Sequence, residues 1–234
     1  MKSKILLVDD DPFTRTLFAN LLQKIARFTL AAAVLAAAAA PAAQAGPLSR
    51  AGFVNVRHHA KTIRTDLRYA TADNFTGKPL PGYCKPVAVT ARPAARALAH
   101  AQRRLEKHGL GLLVHDAYRP ARATRAMVRW AQTTGHQWVL DQGYIARRSN
   151  HNRGAAIDLT LVRLSDGKPR DMGTPYDTFS TKAHTTNASG TALRNRLSLK
   201  RAMESFGFRN YRNEWWHYDF PGATGPARDI PLGC

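Results

Sequence analysis

Ser149-Asn150-His151-Asn152-Arg153-Gly154-Ala155-Ala156-Ile157-Asp158 sets an imidazole and a carboxylate on either side of a glycine turn. These are the nitrogen and oxygen donors a catalytic zinc accepts when a third ligand arrives from elsewhere and a fourth position stays open to water. Past Gly154, Ala155 to Val162 alternates, with Ile157, Leu159 and Leu161 facing one way and Asp158 and Thr160 the other. A half-buried strand holding Asp158 towards an open cleft is therefore expected. The third ligand is sought in Glu214-Trp215-Trp216-His217, where a carboxylate three residues before an imidazole offers a ligand and a general base in one short segment. Residues three apart point to opposite faces of a flat strand, so Glu214 is expected in a turn or bulge just ahead of His217.

Working outward, the first helix is expected from about Ala91 to His108, capped by Thr90, with Pro93 in its first turn and Gly109 as its stop. Ala94, Leu98, Ala101 and Leu105 form its buried stripe, with Arg96, Arg103 and Lys107 off it. Leu110 to His115 reads as a strand delivering the corner Asp116-Ala117-Tyr118-Arg119-Pro120, and Pro120 opens a second helix to about Thr134. Residues 135–148 read as a loop. Arg163 to Gly190 is long, polar and punctuated by Gly and Pro, a length that usually signals a functional loop. A third helix from about Leu193 to Phe206 turns Leu199, Ala202, Met203 and Phe206 inward, and a terminal hairpin spans Phe208–Tyr211 and Trp215–Phe220. Two short strands, at Phe53–Arg57 and Thr62–Leu67, complete a small single α+β domain with a central antiparallel sheet flanked by helices.

The ends of the chain bear on where it works. Lys24 and Arg27 precede an apolar run from Phe28 to Ala40, and Ala43-Gln44-Ala45 supplies a small-x-small cleavage site, the order of a secretory signal peptide over residues 24–45. The run is short and alanine-rich, so no stable membrane span is expected after cleavage. The net charge of +19 falls little on cleavage: residues 1–45 hold five Lys or Arg and three Asp, leaving 30 basic and 13 acidic side chains and +17 on residues 46–234. In an exported protein that charge favours an anionic cell envelope as partner. The basic residues are scattered with no accompanying motif, so nucleic acid is not expected. Cys84 and Cys234 are the only cysteines; neither sits in a Cys-x-x-Cys pair, which argues against a sulfur-ligated metal and permits one disulfide in an oxidising compartment. Without that bond, Pro221 to Cys234 has little reason to be ordered.

Five segments in order carry a family resemblance: Asp73-Asn74-Phe75-Thr76-Gly77-Lys78, the Asp116 to Pro120 corner, the Ser149 to Asp158 stretch, Met172-Gly173-Thr174-Pro175-Tyr176-Asp177 and Glu214 to His217. Together they resemble the zinc D-alanyl-D-alanine dipeptidases over most of the chain after about residue 53, and residues 46–234 are read as the catalytic domain. The resemblance implies a metallo D,D-peptidase-like fold and one Zn2+ per chain on His151, Asp158 and His217. It implies Glu214 as the residue that takes a proton from water and returns it to the leaving amine, and Arg119 as the stabiliser of the developing oxyanion. Arg119 has a second reading, as a residue tied to Asp116 in a structural corner. Ser149 and Asp177 become substrate-binding residues, the Asp177 carboxylate pairing with the free ammonium of a dipeptide.

The expected function is an exported, periplasmic or extracellular peptidase that hydrolyses D-alanyl-D-alanine to two D-alanines, in peptidoglycan turnover or D-alanine recovery. The alternatives are a D,D-carboxypeptidase or endopeptidase on peptidoglycan stem peptides, or a non-catalytic basic peptidoglycan-binding protein. Residues 1–23 resemble only the start of a response-regulator receiver domain, too short to bury a core, and read as a start-site or fusion artefact. Trp215 and Trp216 read as packing walls, and the remaining histidines as structural or surface residues.

Overall fold

The computed structural model describes residues 16, 19–24 and 46–234. It divides into two units, Met1–Gln44 and Ala45–Cys234. In the first, residues 16 and 19–24 are helical; the other residues of the receiver-like stretch, and the apolar run and cleavage site of the leader, lie outside the described residues. Among the described residues, no helix is long and apolar enough to cross a membrane.

The second unit is built on β5 (Ala156–Arg163), the strand that the Gly154 turn releases. It pairs antiparallel with β4 (Leu110–Asp116) on one side and with β7 (His217–Asp219) on the other. β6 (Arg209–Asn210) extends the sheet antiparallel from β7, and β2 (Arg64–Thr65) joins β4 in parallel, giving the order β2-β4-β5-β7-β6. The sheet is thus antiparallel through its centre with one parallel edge. A separate ribbon pairs β1 (Phe53–Asn55) with β3 (Val89–Ala91).

Ile157, Leu159 and Leu161 are fully buried in the main core, together with Leu98 and Leu105 of α1 (Arg92–Glu106) and Leu199 and Met203 of α4 (Gly190–Glu204). Between these helices come α2 (Ala121–Thr133) and the short α3 (Gln137–Asp141), the latter in a stretch expected to be loop. The alternation of β5 is as read, but its second face is closed: Asp158 and Thr160 are 3% and 4% exposed. The 163–190 segment causes this by folding back, with Arg170 N–H donating to Leu161 O at 2.8 Å and Met172 and Tyr176 laid beside Thr160.

The ends of α1 and α4 differ from expectation. Thr90 does not cap α1, because it is held in β3 and its hydroxyl donates to Gly154 O at 2.8 Å. α4 starts at Gly190 and ends at Glu204, so Phe206 lies beyond it, half-buried and stacked on His100 at 5.6 Å. The loop between β5 and α4 is organised by Arg196, 0% exposed, whose guanidinium donates to the carbonyls of Met172, His184 and Lys182 at 2.7, 2.7 and 3.0 Å.

The C-terminal tail is a strap. Asp229 binds Arg122 and Arg125, Ile230 N–H donates to the Tyr118 hydroxyl at 2.8 Å, and Leu232 bridges to Tyr83. Arg228 N–H donates to Asn152 O at 2.8 Å, and Ala121 N–H donates to Arg228 O at 3.0 Å, so the strap joins the His151 turn to the start of α2. Cys84 and Cys234 close it, bonded across a sequence separation of 150. A loop of that length is worth on the order of 4–5 kcal/mol in the chain-entropy treatment. Protein from an oxidising compartment should therefore show no free thiol when denatured, and a reductant should lower its melting temperature without displacing metal. Two titratable thiols in that material would defeat the disulfide.

Candidate metal centre and active site

The turn before β5 is held by specific short contacts. Ser149 Oγ accepts from His151 N–H at 3.2 Å, residues 150–153 make one tight turn, and Gly154 follows at φ +62°. A Cβ on Gly154 would stand 2.7 Å from Phe53 Cε1 and 2.9 Å from Ala91 N, so the left-handed conformation and the close approach both require glycine. Asn152 ties the turn to the Asp116–Pro120 corner by donating to Arg119 O and Thr124 Oγ1 at 2.8 and 2.9 Å, while Arg119 N–H donates to His151 O at 3.0 Å.

Register then does the assembling. Asp158 sits opposite His217 on β7 and opposite Asp116 on β4, across a bulge between Val114 and Asp116. His151 Nδ1 donates to Ala117 O at 2.7 Å, so Nε2 is the nitrogen that faces His217 and Asp158. The three donor atoms form a triangle: His151 Nε2 to His217 Nδ1 is 3.2 Å, His217 Nδ1 to Asp158 Oδ1 is 2.9 Å, and His151 Nε2 to Asp158 Oδ1 is 3.3 Å. Tetrahedral coordination with bonds of about 2.0–2.1 Å places neighbouring donors roughly 3.3 Å apart. The triangle fits one ion. Behind His217, Nε2 faces Asp219 Oδ1 at 3.2 Å and is oriented by it.

The charge balance favours a cation in the same place. Burial, with the Asp158 charge adding to it against His217 and Arg119, pushes Glu214 up to about 8. Burial and the charges of Asp158 and Glu214 hold Asp177 well above the usual carboxylate range. Burial would lower His217, but its hydrogen bonds to Asp158 and Asp219 override it and push it up to about 10. Asp158 is held well below the carboxylate range by His151 and His217 in spite of its burial.

Glu214 lies in the turn between β6 and β7, as its spacing required, with Oε2 3.9 Å from His217 Nδ1. Arg119 is tied to Asp116, as its second reading has it, and also reaches the triangle. Its Nε and Nη2 bind Asp116 Oδ2 at 2.9 and 2.8 Å, and Nη2 still reaches to 3.6 Å from Asp158 Oδ2. Its guanidinium lies 5.0 Å over the Tyr69 ring. Asp177, at φ +58°, accepts from the Tyr69 hydroxyl at 3.1 Å. A non-glycine residue in that region is a local strain of the kind that gathers at binding sites. These groups and Ser149 line one cleft of about 270 Å³. Its walls are aromatic, from Tyr69, Phe75, Tyr144, Phe179 and Tyr211.

Trp215 and Trp216 are buried walls, as expected. Sequence reasoning missed Asp219, although it lies two residues after His217 and so on the same strand face. It also missed the site contacts of Tyr69 and Tyr176. Tyr176 stood in the quoted Met172 to Asp177 stretch and was passed over for Asp177.

A His-Asp-His triangle with a carboxylate beside it and an arginine across a small cleft defines the class: a mononuclear metallohydrolase centre on an α+β scaffold. The chain belongs to peptidase family M15, D-ala-D-ala dipeptidase, which matches residues 49–231. It is 40% identical over 187 residues to a D-alanyl-D-alanine dipeptidase of Streptomyces coelicolor, covering 73% of this chain and 93% of that protein. Proteins of the same name from Enterococcus faecalis and Escherichia coli K12 are 38% and 39% identical, covering 71% and 69% of this chain and 90% and 81% of theirs.

An ion entering the triangle must displace the proton that His217 carries below about 10. Metal affinity should therefore rise with pH through the neutral range, and calorimetry in buffers of different ionisation enthalpy at pH 7 should register about one proton or more released per ion. Uptake without proton release would count against His217 as a ligand.

Proposed function

We propose that this chain is an exported, zinc-dependent dipeptidase that hydrolyses D-alanyl-D-alanine to two D-alanines. The observation that carries this reading is the placement of the His151–Asp158–His217 triangle, Glu214, Arg119 and Asp177 around a single small cleft. Two imidazoles, one carboxylate and no thiolate are the donor set of a hydrolytic zinc site. When bound, zinc supplies a Lewis acid that brings the pKa of water towards neutrality and polarises the carbonyl.

The chain's own residues do the rest. Glu214, kept basic by burial, accepts a proton from the attacking water and hands it to the leaving amine. Arg119, fixed on Asp116, offers its remaining donors to the carbonyl oxygen as it becomes anionic. Asp177 pairs with the substrate's free ammonium and so selects short peptides by charge, and Ser149 lines the approach.

Residues 46–234 are assigned to the catalytic domain, 24–45 to a signal peptide and 1–23 to a start-site or fusion artefact. The Cys84–Cys234 bond supports export, because such bonds persist in oxidising compartments. Envelope contact is supported by the outer face of α1, which exposes Arg92, Arg96, Arg103 and Arg104, with Lys107 exposed at its C-cap. In that setting the activity serves peptidoglycan turnover or D-alanine recovery. The rival reading, a D,D-carboxypeptidase or endopeptidase on stem peptides, shares the metal set and differs at Asp177, since its substrates need no free ammonium there.

Two variants test these assignments. Glu214→Ala should lower the rate of D-alanine release by roughly 100-fold or more while metal analysis still finds one zinc per chain; unchanged activity would mean the base lies elsewhere. Asp177→Ala should harm cleavage of the free dipeptide far more than cleavage of N-acetylated peptides. Equal losses on the two substrates would favour the rival.

A further inference from the structure

Asp158 uses its two oxygens differently. Oδ1 faces the imidazole nitrogens of His217 and His151 at 2.9 and 3.3 Å. Oδ2 is turned away, 3.0 Å from the Tyr176 hydroxyl and 3.6 Å from Arg119 Nη2. A carboxylate whose second oxygen is free can swing it onto an ion and occupy the position that water needs. One whose second oxygen is engaged stays one-handed.

Tyr176 is built to hold that oxygen. Its ring is stacked on His115 at 4.7 Å and set edge-on to Trp216 at 5.5 Å, so the hydroxyl has one direction to point. The loop that carries it is pinned twice just before Tyr176, by Trp215 Nε1 donating to Thr174 Oγ1 at 2.8 Å and by Arg196 Nε donating to Met172 O at 2.7 Å. The same hydroxyl lies 3.0 Å from that of Tyr69, whose proton reaches Asp177. A phenol has one proton, and the charged carboxylate is the stronger acceptor, so Tyr176 donates to Asp158.

We propose that Tyr176 is a positioning residue for the metal site: its hydroxyl donates to the outer oxygen of Asp158 and fixes it. The proposal rests on reading the His151–Asp158–His217 triangle as the metal site. It concerns a side chain outside that triangle. Groups that orient metal ligands from behind typically change affinity by about 10- to 100-fold when removed.

The test is Tyr176→Phe, which keeps the ring between His115 and Trp216 and removes only the hydroxyl. Zinc affinity is measured by competition with a chromophoric chelator, and the melting temperature is measured on metal-free protein. The dissociation constant should rise by about 10- to 100-fold with no change in the metal-free melting temperature. Tyr69→Phe, which removes a neighbour of Tyr176 that does not touch Asp158, should leave zinc affinity near that of the unaltered protein. Unchanged affinity in Tyr176→Phe overturns the proposal, as does an equal loss in both variants or a matching fall in metal-free stability. A failure of the unaltered chain to take up one zinc would instead overturn the reading of the triangle itself.

Discussion

The pairing of Asp158 with His217 across β5 and β7 is the constraint on which the site depends. Side chains on a sheet alternate faces with period two, so a slip of one residue in either strand would send one ligand to the opposite face. The register is protected from behind. Ile157, Leu159 and Leu161 are each fully buried between the sheet and the two long helices α1 and α4, and moving them to the other face would put three large apolar side chains against Arg170 and the polar loop. The hydrophobic effect, which is indifferent to chemistry, thereby fixes the positions of Asp158 and His217.

That arrangement concentrates charge where water is scarce. Asp116, Arg119, His151, Asp158 and Glu214 are each less than a tenth exposed. A buried ion is tolerated only when paired and hydrogen-bonded, and the pairing here is hierarchical. Asp116 accepts from Tyr83 at 2.6 Å and from Arg119, so this pair is nearly self-contained. Asp158 leans on the two histidines. Glu214 and Asp177 are pushed upward by burial first and then by the charge of Asp158, which outweigh the opposing pull of Arg119. These two carboxylates, the ones not neutralised by the protein, are those to which a proton transfer and an ammonium contact are assigned. The raised basicity of Glu214 suits a proton transfer, whereas at Asp177 an arriving ammonium would supply the counter-charge that the fold withholds.

How much of this was legible in the sequence depended on whether a signal was local. The glycine turn, the alternation of β5, the Pro120 start of α2 and the turn position of Glu214 all follow from rules that span a few residues, and each is found in the fold. The closure of the second face of β5 was not legible, because it depends on residues 163–190 folding back over Thr160, and nothing in a polar, Gly- and Pro-marked stretch states what it will cover. Arg196 illustrates the same limit. On a helical wheel it is one more basic residue; in the fold it is wholly buried and holds three loop carbonyls. Thr90 had an ordinary capping signature and lost that role to a strand pairing and a bond to Gly154 O, a tertiary contact outcompeting a local one.

The braces around the three residues of the triangle come from several parts of the chain, and this bears on how precisely they are held. His151 is fixed by the Ser149 and Gly154 turn and by Ala117 O; the C-terminal strap reaches the same turn through Arg228 and Asn152. His217 is fixed by strand pairing and by Asp219. Asp158 is fixed by β4, by β7 and by Tyr176. A productive site tolerates displacements of only about 0.5 Å, and a ligand on a single loop would wander by more than that. Here the ligands come from a turn and two neighbouring strands, and each has a second contact from a different part of the chain. No one loop motion can carry two of them off together, so the triangle is set before any ion arrives and its assembly adds little to the cost of binding one.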